Sequence, residues 1–207
     1  GKDGIPMMTG ALDFRNAENM DTDKMPDRLD GVKMKDWPDS LWYKRVTKGV
    51  DGTAMAPWGM RNKVWDKEGL KGVKIPILFI AGSKDDISGY EKGVKAIYEG
   101  ALNSERYMLT YINARHNIAP NPPTKEVMVP GLHIDEYLRY ADSVWDQRRI
   151  NNINQHFITA FLGMKLKNIK DYSPYLDAKK FEEQDPWYGF LPRTSVGLEF
   201  RMATPAQ

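Results

Sequence analysis

Two short segments hold the residues best suited to chemistry. Gly82-Ser83-Lys84-Asp85-Asp86 follows the unbroken apolar run IPILFIA at 75–81. Asn113-Ala114-Arg115-His116-Asn117 follows the alternating, aromatic run RYMLTYI at 106–112. A carboxylate that holds the Nδ1 proton of a histidine fixes the tautomer and leaves Nε2 to act as a general base. That pairing needs short reach. Adjacent strands lie about 4.8 Å apart, so an acid at one strand end and an imidazole at the next could meet. Each segment has a plainer use as well. A histidine in a strand-end loop is commonly a surface or capping residue, and aspartates after a strand commonly cap a turn.

The elements around these segments must place them. An apolar run such as 75–81 suits a strand buried on both faces of a parallel sheet. The run 106–112 reads as a second strand. Between them, Val94, Ile97, Tyr98 and Ala101 fall on one helical face. That predicts a helix over 88–102, with Ser88 as N-cap and Glu91 completing a capping box. Strand, helix, strand at this spacing is a βαβ unit with parallel strands. Residues 50–56 (VDGTAMA) are a candidate short strand leading into Pro57-Trp58-Gly59. Beyond His116, residues 116–140 read as a Pro-rich loop and a polar stretch. Ile150, Ile153, Phe157, Phe161 and Met164 then recur at helical spacing, predicting a long helix over 142–166. A strand or hairpin is expected over 195–202. The fold class is therefore α/β, with mostly parallel strands flanked by helices. Ligands in such open sheets bind beyond the carboxyl ends of the strands.

Residues 1–49 read differently. Alternating charge is dense over 21–39, and no period of 2 or 3.6 is sustained. The expectation is a polar loop or lid-like segment, with Trp37, Trp42 and Tyr43 available to anchor it. Residues 50–207 form the α/β portion.

Taken as a set, several motifs resemble the α/β-hydrolase fold, and within it the dienelactone-hydrolase-like serine esterases. They are APWGM at 56–60, IPILFIAGSKDDISGYE at 75–91, NARHNIAPNPP at 113–123, WDQRRINNINQHFITAFLG at 145–163 and the closing WYGF and GLEF. The resemblance covers about residues 50–202 and implies hydrolysis of a carboxylic ester with no metal or organic cofactor. By position the family's acid falls on Asp85, with Asp86 as runner-up, and its histidine on His116. Trp58 would line the substrate pocket, because the family places that strand end beside the nucleophile. The chain departs from the pattern at one point. Its seven serines are Ser40, Ser83, Ser88, Ser104, Ser143, Ser173 and Ser195, and none lies in the G-x-S-x-G elbow. Ser40 and Thr9 are weak substitutes without the strand-turn-helix setting. A sheet that began at 50–56 would also present an open edge. The expectation is that these residues are the C-terminal portion of a larger hydrolase. The serine and the remaining strands would then come from a preceding segment or a companion chain. The alternative is a non-catalytic hydrolase-like binding or structural subunit. A weaker alternative is amide cleavage on the same scaffold.

Composition narrows the remaining classes. Thirty basic and 28 acidic residues leave a net charge of +2 over 207 residues, with the signs intermixed. That argues against a nucleic-acid partner, which needs a basic stripe. Cysteine is absent, which excludes thiol nucleophiles, thiolate zinc sites and disulfides. The longest apolar run is too short to span a bilayer. Cellular compartment is not readable. His133 with Asp135 and Glu136 has metal-capable side chains at spacings that match no strong signature, so a loop or helix start is expected there. His156 lies beside the apolar stripe of the long helix and reads as a partly exposed or hydrogen-bonded histidine. Asn151, Asn152 and Asn154 read as a polar helix face.

Overall fold

The computed structural model describes residues 52–183 and 185–206. The expected lid-like segment 1–49, with Ser40, Thr9 and the three anchoring aromatics, lies outside the described residues, as do Val50 and Asp51.

Among the described residues, four strands form one sheet: β1 (Gly52–Met55), β2 (Ile77–Gly82), β3 (Arg106–Tyr111) and β4 (Leu198–Ala203), in the spatial order β1-β2-β3-β4. The first three run parallel, and β4 lies antiparallel on β3. A coarse α/β architecture, a mostly parallel sheet with flanking helices, is therefore present. Side chains alternate cleanly between the two faces of β2 and β3. Leu78, Ile80, Tyr107, Leu109 and Tyr111 point into a core with Ile150, Ile153, Phe157 and Phe161. These last four come from the longest helix, so one face of the sheet is covered by it. Ile77, Phe79, Ala81 and Met108 point the other way, against Leu70, Val94, Ile97 and Tyr98. Every residue of β2 and β3 is buried, which is why their sequences carry so little polarity.

Among the described residues there are five α-helices: α1 (Lys67–Leu70), α2 (Lys95–Gly100), α3 (Ile134–Leu138), α4 (Gln147–Lys167) and α5 (Ala178–Glu183). Among the described residues no helix is long and apolar enough to cross a membrane.

The structure corrects three expectations. The helix anticipated over 88–102 is shorter and begins with a wide turn. A π-helical stretch covers Tyr90–Val94, and α2 proper follows it. Ser88 is not an N-cap. Its hydroxyl donates instead to the Ala56 carbonyl at 2.8 Å, and Glu91 pairs with Lys95 at 2.7 Å rather than closing a capping box. A tertiary partner has taken the hydroxyl that a local motif would use. Gly89, at φ 76, precedes the turn, a conformation that suits glycine. The long helix starts at Gln147 rather than Asp142. Asp146 is its N-cap, accepting the amides of Arg148 at 3.0 Å and Arg149 at 3.1 Å. Of the strand or hairpin expected at the end, the strand is present and pairs with β3, but it begins only at Leu198 rather than Ser195, after Gly197 at φ 84.

Candidate active site

The register of β2 and β3 explains the site. Ile77 faces Arg106 and Gly82 faces Tyr111, so the two strands end side by side. The loops that leave them are laced together. Ser83 donates its amide to the Tyr111 carbonyl at 2.9 Å, and Lys84 donates to Ala114 at 2.9 Å. The Asn113 amide donates to the Ser83 hydroxyl at 2.8 Å. Gly82 makes this approach possible. A Cβ there would sit 2.1 Å from the Arg115 carbonyl oxygen and 2.4 Å from that of Ala114. Asn113 reverses the second loop at φ 65, a conformation asparagine tolerates better than most residues.

Lacing brings Asp85 onto His116. The imidazole Nδ1 lies 3.0 Å from Oδ2 and 3.2 Å from Oδ1 of Asp85. The Asp85 side chain is completely buried, while that of His116 is 16% exposed. The acid is thus sealed from water and the ring keeps an opening. Asp85 Oδ1 also accepts the amides of Ile87 at 2.9 Å and Ser88 at 2.8 Å, so backbone donors fix the carboxylate. An ionised carboxylate can only accept, so a neutral His116 must carry its proton on Nδ1 and its lone pair on Nε2. That is the tautomer a general base requires.

Asp86, the runner-up, does something else. It faces outward and makes a forked ion pair with Arg115, through Nη2 and, at 3.3 Å, through Nε. The guanidinium holds its carboxyl below the usual carboxylate range. Arg61 adds a bond to the Asp86 carbonyl at 2.9 Å. Asp86 therefore ties the two loops together and is not the histidine's partner.

The other sequence candidates fall in different places. Trp58 follows β1 at the same end of the sheet and stays half-buried, its carbonyl accepting the Trp65 indole N–H at 2.8 Å. His133 is the N-cap of α3, accepting the Asp135 amide at 3.3 Å, so the HIDE sequence opens a helix. Among the described residues no cluster of three or more His, Asp or Glu side chains is disposed to hold a metal. His156 is packed edge-on against Phe157, Tyr175 and Phe190, with ring centroids 4.7–5.2 Å away. Its Nε2 is buried and has no hydrogen-bond partner among the described residues. Three of the serines have structural uses: Ser83 and Ser88 as described, and Ser104 donating to the Ile75 carbonyl at 2.6 Å.

Sequence reasoning missed the supports of the His116 loop. Asp142, expected to open the long helix, instead accepts the Arg115 amide at 2.6 Å. Asn154, assigned to a polar face, is buried. It donates to the Ile118 carbonyl at 2.7 Å and accepts the Tyr111 hydroxyl at 2.7 Å. A signal was present. Asn154 lies four residues after Ile150 and three before Phe157, so it interrupts the apolar stripe itself. The chain matches no protein-family model and no curated protein sequence.

Proposed function

We propose that this chain supplies the acid and the histidine of a Ser-His-Asp carboxylic ester hydrolase of the dienelactone-hydrolase-like kind. One observation carries the reading: a buried, amide-anchored Asp85 carboxylate in contact with His116 Nδ1, at neighbouring ends of two parallel strands. In this reading His116 Nε2 removes the proton of a serine hydroxyl as its oxygen attacks the ester carbonyl. The same nitrogen returns the proton to the departing alkoxide. It then takes a proton from the water that attacks the acyl-enzyme and passes it to the serine oxygen as that oxygen leaves, releasing the carboxylic acid. Asp85 holds the ring and stabilises the imidazolium formed at each transfer. The serine and the oxyanion donors belong to a preceding segment or a companion chain, because no serine here sits in a nucleophile elbow. Trp58 forms part of the acyl or alcohol pocket wall.

The missing elbow also favours a second reading, a non-catalytic hydrolase-like subunit in which Asp85 and His116 merely fasten two loops. Hydrolysis of p-nitrophenyl esters by the native material, compared with a His116→Ala form, separates the two. Loss of general-base catalysis should lower kcat/KM by about 10²–10⁴-fold. Equal rates would remove His116 from the mechanism and leave the fastening role.

A further inference from the structure

The segment that carries His116 has no regular secondary structure and contains Pro120, so its few backbone hydrogen bonds need support from side chains to keep the ring on Asp85. We propose that Asp142 and Asn154 are positioning residues for His116, gripping its loop on either side so that the imidazole stays seated on Asp85. The inference rests on reading His116 as the working base, but its evidence is geometric.

Asp142 grips the chain one residue before His116. Its Oδ2 accepts the Arg115 amide at 2.6 Å, while Oδ1 accepts the amides of Val144 at 2.8 Å and Trp145 at 2.9 Å. The residue is 7% exposed. A buried carboxylate is costly unless its oxygens are filled, and here three N–H groups fill them. Helix capping does not account for it, because Asp146 performs that task for α4. Asn154 grips two residues after His116. Its Nδ2 donates to the Ile118 carbonyl, and the Ile118 amide in turn donates to the His116 carbonyl at 2.9 Å. Asn154 is 5% exposed, on a helix face otherwise built from Ile150, Ile153, Phe157 and Phe161. An apolar residue would pack that position without a polar group to satisfy. The amide makes sense there because it reaches the loop. Tyr111, whose phenol burial pushes well above its ordinary range, remains a donor to Asn154 Oδ1 and sets the amide's orientation.

The test follows the Nδ1 proton of His116 by NMR in the full chain with ring-labelled histidine. His116→Gln assigns the signal, and only His133 and His156 can compete for it. Asp142→Asn keeps the volume but offers one acceptor oxygen to three amides. Asn154→Asp keeps the acceptor for Tyr111 and loses the donor to Ile118. Each change should speed exchange of the His116 Nδ1 proton with water about tenfold, the factor that corresponds to ~1.4 kcal/mol, the size of one net hydrogen bond. The His156 signals should not move. Wild-type exchange in variants with native His156 signals would overturn the proposal. So would loss of the fold in both, since the residues would then be structural alone. If only Asp142→Asn fails to fold, Asn154→Asp decides. Unchanged ester hydrolysis in His116→Ala would end the catalytic reading and leave the exchange result standing, so the two failures are distinguishable.

Discussion

Asp85 and Asp86 are adjacent in sequence and opposite in environment. The first has no exposed side-chain surface and accepts two backbone amides as well as His116. The second is 41% exposed and faces an Arg115 that is 50% exposed. Asp85→Ala should therefore cost on the order of 3 kcal/mol, from buried amides left unpaired, and, if the proposed function holds, abolish ester hydrolysis. Asp86→Ala should cost no more than ~1 kcal/mol and preserve most activity, since exposed ion pairs contribute little. Urea unfolding and the same ester assay check both. Equal losses at the two positions would contradict the assignment of the acid. His156 offers a second test at this scale. Burial among aromatic rings holds its pKa below the ordinary 6.5. The folded protein therefore binds that proton less readily than the unfolded chain. Stability contributed by the neutral ring is complete above about pH 6.5 and is lost as pH falls below it. His156→Phe should show a shallower fall in urea midpoint between pH 8 and pH 5 than wild type. Parallel pH profiles would show that this ring does not couple to folding.

The informative failures at the scale of single elements are those of α2 and α4. Both were visible as apolar stripes, because burial against a sheet face demands that spacing. Their beginnings were misplaced. Ser88 satisfies every local criterion for an N-cap, yet its hydroxyl is engaged by Ala56 at the end of β1, 32 positions away in the chain. Asp142 looks like a helix start and serves the His116 loop instead. Capping patterns describe competition among neighbours in sequence, and a distant carbonyl or amide can win that competition. Gly82 shows the reverse. A glycine closing a strand reads as simple punctuation, but the structure gives it a specific task, admitting the Ala114 and Arg115 carbonyls. Gly82→Ala should destabilise the protein by about 1–3 kcal/mol, since one loop must shift to admit the methyl group. Because that loop carries His116, the variant should also lose activity at temperatures where it remains folded. Wild-type activity in folded Gly82→Ala would show that the loops tolerate separation.

Considered as a whole molecule, the sheet is asymmetric. One end strand is β4, antiparallel to β3 and exposed at alternate residues, with the Phe200 ring 4.8 Å from that of Phe157, whereas β1 is mostly buried. At the other side β1 is, among the described residues, an end strand. An end strand leaves one row of backbone groups available for pairing. In the proposed hydrolase, the strand bearing the serine would pair there. Native mass measurement of esterase-active material should therefore show either a polypeptide longer than this 23.7 kDa chain or a companion bound to it. An active species of 23.7 kDa alone would refute the external serine.

What the sequence determined unaided was the class of fold and the two residue types at issue, because both rest on local properties. Apolar runs mark β2 and β3 whatever else surrounds them, and Asp85 and His116 stand at the ends of those runs. Only the tertiary structure decided which carboxylate turns inward and which serves Arg115, because adjacent side chains with the same chemistry differ only in what packs against them. It alone showed that Asp142 and Asn154 hold the His116 loop. Such contacts join residues 27 and 36 positions apart, and their hydrogen bonds exist only once the sheet and α4 have closed over the loop between them.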